Sequence, residues 1–124
     1  LTDSQLDDIV SIINETKIAG VIATNTTIER GNLLTSDSKI ESIGAGGVSG
    51  KPLTQRSTQV ISYLFQKSSG SFPIIGVGGI MCADDAVSKI QAGADVVQIY
   101  TGLIYKGPVL VHEVAKALKQ LNKA

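Results

Sequence analysis

The fold is decided by Phe72-Pro73-Ile74-Ile75-Gly76-Val77-Gly78-Gly79-Ile80. Its apolar run closes on paired glycines, and Asp84-Asp85-Ala86 opens a helical pattern just beyond. A short apolar stretch bounded by glycine and followed by a helix reads as a parallel strand covered on both faces. Gly78 and Gly79 then lie at the strand's C-terminal end, where parallel α/β folds place their ligands. Bare glycine backbone beside a helix N-terminus suits a phosphate, because nothing blocks its approach and free N–H groups point at it.

Two further strands flank this one in sequence. Val21-Ile22-Ala23-Thr24 is short, apolar and stops at the polar cluster Asn25-Thr26-Thr27; Asp95 to Tyr100 ends in Thr101-Gly102. Helical spacing is expected over 2–18, ended by Ala19-Gly20, over Pro52–Lys67, and over Ala83–Ala92, stopped by Gly93. A helical turn is expected at Leu103–Lys106, and a last helix follows Pro108, which a first turn tolerates. Between them, Ile28 to Lys51 reads as one long polar loop ending in Gly44-Ala45-Gly46-Gly47-Val48-Ser49-Gly50-Lys51. Loops of that length are usually functional or disordered. The class is α/β, in the order α-β-α-β-α-β-α.

Three parallel strands alone would leave both edges unpaired. The economical reading is that residues 1–124 are the C-terminal three βα units of a (β/α)8 TIM barrel, one domain whose N-terminal part lies outside this chain. A piece of an open doubly wound sheet is the alternative. The start at Leu1, with a helix almost at once, fits a piece of a longer polypeptide.

Composition narrows the function. Eleven basic and eleven acidic residues cancel, so charge offers no case for nucleic acid or an anionic membrane surface. With no Trp, three Tyr and two Phe, there is no stacking platform for bases. A single cysteine, Cys82, excludes an internal disulfide and a cysteine-cluster metal site, and no metal-ligand set is expected. No apolar run reaches membrane-spanning length, and no signal peptide is visible.

The candidate site is a phosphate cradle shared by two strand ends, Gly78-Gly79 and Tyr100-Thr101-Gly102, with the Thr101 hydroxyl assisting. Tight βα turns also use glycines, so the pairing of two matched strand ends is what favours a site. The Gly44–Lys51 stretch is not a P-loop, since Ala45 and Pro52 occupy positions that motif reserves for Gly and Ser or Thr. A glycine loop that brings backbone close to a flat ligand is what it offers, with Gly50 nearest the next helix. Asn25 carries donors and an acceptor together, which suits the edge of an amide-rich heterocycle; a local Asx turn is the commoner use. His112 and Cys82 lack partners for catalysis, and Asp84 and Asp85 suit a helix first turn.

Four blocks in order carry a resemblance: Gly20-Val-Ile-Ala-Thr-Asn-Thr-Thr27, Gly46-Gly-Val-Ser-Gly-Lys-Pro-Leu53, Pro73-Ile-Ile-Gly-Val-Gly-Gly-Ile80 and Val97-Gln-Ile-Tyr-Thr-Gly102. Together they resemble the C-terminal half of a class 2, quinone-dependent dihydroorotate dehydrogenase. The resemblance implies an FMN-binding barrel that oxidises dihydroorotate to orotate in pyrimidine biosynthesis and passes electrons to a quinone. By motif, it implies FMN contacts from Thr24, Gly50, Gly79, Tyr100 and Thr101, the last three around the phosphate. It implies pyrimidine contacts from Asn25 and Thr26. The family's catalytic base, a Ser, and its quinone-admitting helices, which attach peripherally to the inner membrane, belong to the N-terminal part. No catalytic residue is therefore assigned here, and the chain alone is expected to be inactive. The competing reading is a non-catalytic or different phosphate- or FMN-binding βα-barrel module.

Overall fold

A computed structural model describes residues 1–31 and 33–121. Three parallel strands, β1 (Val21–Ala23), β2 (Ile74–Val77) and β3 (Val96–Gln98), form a sheet in the order β1-β2-β3. The stretch that decides the fold thus supplies the central strand. Its register aligns Ala23 with Gly76 and Gly76 with Val97.

Helix α1 (Asp3–Thr16) starts in a capping box: the Gln5 N–H donates to Thr2 Oγ1 at 3.3 Å, and the Thr2 N–H donates to Gln5 Oε1 at 2.9 Å. Leu6, Val10 and Ile13 bury one face of it. The helix ends earlier than Ala19-Gly20. Lys17 takes the left-handed conformation (φ 53°), and its N–H closes on Ile13 O at 2.9 Å. A non-glycine residue thus fills the C-terminal cap, which spacing of glycines does not reveal.

The polar segment 28–51 is not loop throughout. It contains α2 (Asp37–Ile43), a seven-residue helix that buries no residue and whose two apolar positions, Ile40 and Ile43, are too few to set a helical period. A 3-10 turn (Lys51–Leu53) leads into α3 (Thr54–Ser68), followed by α4 (Ala83–Gln91), α5 (Thr101–Lys106) and α6 (Val109–Leu121). Helix α3 packs on α1 and on β2; α4 packs on α6 and β3.

Two apolar clusters result. Leu6, Ile61, Leu64 and Ile74 centre the larger one, and Ile80, Ala86, Leu110 and Val114 form the smaller. Both lie on the helical side of the sheet. Alternation sends Ile22, Ile75 and Val96, aligned across the three strands, to the other side. Ile22 is 59% and Val96 53% exposed, so the expected burial on both faces is met on one face only. No element among the described residues covers the second face. Among the same residues, β1 and β3 each pair only with β2, which leaves an apolar face and two strand edges open.

Candidate functional site

The C-terminal ends of all three strands open into one cavity of about 450 Å³, within the range usual for small-molecule sites, roughly 300–1,000 Å³. The seven residues that the resemblance assigns to cofactor or pyrimidine line it, as does Gly78, whereas Gly102 of the expected cradle does not. Thr24, Asn25 and Thr26 follow β1, Gly50 comes from the glycine loop, Gly79 follows β2, and Tyr100 and Thr101 follow β3. Their assembly follows from the topology, because parallel strands in sequential order place every strand-to-helix turn at the same end.

The glycine turn after β2 is pinned from behind by α3. Ser57 Oγ donates to Gly78 O at 2.8 Å, and Thr54 Oγ1 donates to Gly79 O at 2.6 Å. Gly79 has φ +72°, and a Cβ there would overlap the backbone nitrogen and hydroxyl of Thr54, so only glycine fits. Gly102, at the start of α5, lies so close to Ile80 O that a Cβ would overlap it. The turns after β2 and β3 are therefore in direct contact. Among the described residues, the N–H groups of Gly79, Ile80, Tyr100 and Thr101 donate to no protein acceptor. Four unpaired backbone donors at two touching turns are the chemistry of an anion site.

The glycine loop is drawn across this end by main-chain pairing. Thr27 and Val48 exchange hydrogen bonds of 3.0 and 2.7 Å in an isolated antiparallel bridge. Arg30 Nη2 donates to Gly46 O at 2.6 Å, and Thr101 Oγ1 donates to Ser49 Oγ at 3.2 Å. Gly50, with φ +81°, then lies beside Thr101, whose Cγ2 would sit 3.0 Å from a Cβ added at Gly50. Asn25 does not form the i to i+2 Asx turn: its Oδ1 accepts from the adjacent Thr26 N–H at 2.8 Å, and the local turn bond is made by Thr27, whose Oγ1 accepts from the Glu29 N–H at 3.1 Å. The Asn25 amide N–H groups have no acceptor among the described residues, and the side chain is exposed at the cavity.

Cys82 and Asp85 serve the start of α4, where Asp85 Oδ2 accepts from the N–H groups of Met81 (2.8 Å) and Cys82 (3.0 Å). His112 is exposed on α6, away from the cavity lining. Sequence reading passed over Gln98, a polar residue ending an otherwise apolar strand and lining the cavity. It also passed over Lys89, which is completely buried. The signal for Lys89 was its place three residues after Ala86 on the inward face of α4. Burial lowers its pKa to about 8, against a smaller upward pull from Asp85.

Fold and site define a class: a parallel βα protein with a cavity at its strand ends, edged by unpaired backbone N–H groups. A profile of the dihydroorotate dehydrogenase family matches residues 1–121. The chain is 60% identical to the dihydroorotate dehydrogenase (quinone) of Christiangramia forsetii, over 92% of this chain and 32% of that protein. Identity is 48% to the protein of the same name from Trichodesmium erythraeum, over 99% of this chain and 34% of that one. The crystal structure of DHODH in complex with ferulenol from Eimeria tenella superposes with TM-score 0.87 at 41% identity, over 99% of this chain and 32% of that one. The chain belongs to the dihydroorotate dehydrogenase family. It spans about a third of the length of these relatives.

Proposed function

We propose that this chain is the C-terminal part of an FMN-dependent (β/α)8 barrel that oxidises dihydroorotate to orotate with a quinone as acceptor, a step in pyrimidine biosynthesis. The observation that carries the reading is the convergence of Thr24, Asn25, Thr26, Gly50, Gly79, Tyr100 and Thr101 on one cavity. Two open strand edges and an apolar open face fit a sheet that continues into the rest of a barrel.

The residues present fit FMN. The unpaired N–H groups at Gly79, Ile80, Tyr100 and Thr101 suit its phosphate, and the bare backbone at Gly50 admits a flat ring to close contact. When bound, FMN supplies a two-electron acceptor. Thr24 contacts the cofactor at the end of β1. Asn25 and Thr26 hydrogen-bond the pyrimidine and hold its C5–C6 edge for loss of a proton from C5 and a hydride from C6. The base that takes the C5 proton is a Ser outside this chain, so these residues orient and bind and leave proton transfer to another segment. Ile22 and Val77 give the cavity apolar lining that limits water access once the barrel is complete.

No helix among the described residues is long and apolar enough to cross a membrane. Peripheral attachment to the inner membrane and quinone access are assigned to N-terminal helices outside this chain. The test is dihydroorotate-dependent quinone reduction by the complete protein. Orotate formation with loss of the quinone chromophore is expected; turnover with NAD or fumarate but not with quinone contradicts the assignment.

A further inference from the structure

Lys89 is fully buried, and its three ammonium donors meet only neutral oxygens. Nζ donates to Ser57 Oγ at 2.6 Å, to Thr58 Oγ1 at 3.1 Å and to Thr54 O at 3.4 Å. Among the described residues it has no carboxylate within ion-pair distance. A buried cation without a paired anion is costly and calls for a reason.

The hydrogen-bond chain supplies one. An ammonium cannot accept, so Lys89 occupies an acceptor site of Ser57 and commits that hydroxyl's single proton outward. Its nearest acceptor is Gly78 O at 2.8 Å, closer than Thr54 O at 3.2 Å. Thr54 Oγ1 has two acceptors in reach, Gly79 O at 2.6 Å and Lys51 O at 2.9 Å, and donates to the nearer, while its carbonyl, on the first turn of α3, accepts from Lys89 at 3.4 Å. In a trans peptide unit the N–H points opposite to the C=O. Carbonyls 78 and 79 are both drawn toward α3, so the Gly79 and Ile80 N–H groups are both turned away from it. They are two of the donors left unpaired at the strand ends.

We infer that Lys89 is a positioning residue which, through Ser57 and Thr54, aims and polarises the Gly79 and Ile80 N–H groups that receive the phosphate of the cofactor. The inference rests on the phosphate reading above. A phosphate on the far side of the turn supplies the negative charge that Lys89 lacks inside the protein, and the intervening peptide dipoles align between the two.

The test uses the complete protein, freed of flavin and titrated with FMN and with riboflavin, which shares the ring and ribityl chain but has no phosphate. Binding is read from quenching of flavin fluorescence. Wild type is expected to favour FMN. Lys89→Met and Ser57→Ala are each expected to weaken FMN about tenfold while shifting riboflavin less than twofold. Because the two act in series, the double variant is expected to lose no more than the worse single variant. If Lys89→Met does not fold, Ser57→Ala, which changes little volume, decides. An unchanged FMN-to-riboflavin ratio in folded Ser57→Ala, or equal weakening of both flavins, overturns the role of Lys89 and leaves the cofactor site standing. A wild type that binds the two equally, or binds neither, overturns the phosphate reading and this inference with it.

Discussion

At the residue scale, the site is made of backbone more than of side chains. Gly79 is the clearest case, since positive φ and the overlap with Thr54 both forbid a Cβ. Gly79→Ala is expected to displace the turn and abolish FMN retention on purification, read from the flavin-to-protein absorbance ratio; full occupancy would contradict the cradle. Asn25→Ala is expected to weaken orotate binding by ~1–3 kcal/mol, the usual cost of leaving buried polar partners unpaired. Unchanged orotate affinity in a titration would remove Asn25 from the site.

Lys89 makes a separate prediction about stability. Burial brings its pKa down to about 8 from 10.5. Below pH 8 both folded and unfolded states carry the proton, and the buried charge stands as a net cost that does not change with pH. Between about pH 8 and 10.5 the folded state has released that proton and the unfolded state has not, so stability contributed by this group rises with pH. Asp85 on the same helix is the charged group that opposes the shift, while α3 presents only hydroxyls and a carbonyl. Lys89→Met is therefore expected to unfold at equal or higher temperature at pH 7, with a flatter pH dependence from 8 to 10. A steeper dependence in the variant would contradict this assignment. Substitution leaves Ser57 and Thr58 with Gly78 O and Thr54 O as acceptors, so no donor is stranded.

At the element scale, what the sequence made legible followed the strength of the local signal. The three strands were readable because each is an apolar run cut off by glycine or by a polar cluster. The two glycine-bearing turns that meet at the cavity were readable because two such cut-offs recur at strand ends. Helix α2 was hidden, since Asp37–Ile43 is short and offers only Ile40 and Ile43 as apolar positions. The end of α1 was misplaced because Lys17 adopts a conformation usually left to glycine. Lys89 was missed because a lysine ordinarily reads as a solvated side chain, although its spacing from Ala86 sets it on the inward face of α4. The glycine loop is held by few contacts, chiefly the Thr27–Val48 bridge and Arg30. Arg30→Ala is expected to speed amide exchange across 44–50 while leaving the melting temperature nearly unchanged. Unaltered exchange would show that Arg30 does not hold the loop.

At the scale of the whole molecule, the sheet is finished on one face and open on the other. Ile22 and Val96 stand on the open face, and β1 and β3 present free edges. Residues 1–124 expressed alone are therefore expected to self-associate, measured by light scattering after size exclusion. A stable monomer that leaves both edges exposed would contradict the reading of that face as a barrel interior. On the proposed reading the same openness has a simple cause: a barrel gathers its site from the ends of many strands, and three strand ends lie here.

The central claim is that the strand-end cavity holds a flavin and a dihydropyrimidine in reacting contact. Adding dihydroorotate to the complete protein without oxygen, while recording the visible spectrum, tests it most directly. The account predicts a yellow protein whose flavin absorption bleaches on addition and returns with quinone. A colourless protein, or a yellow one unchanged by dihydroorotate, would contradict it.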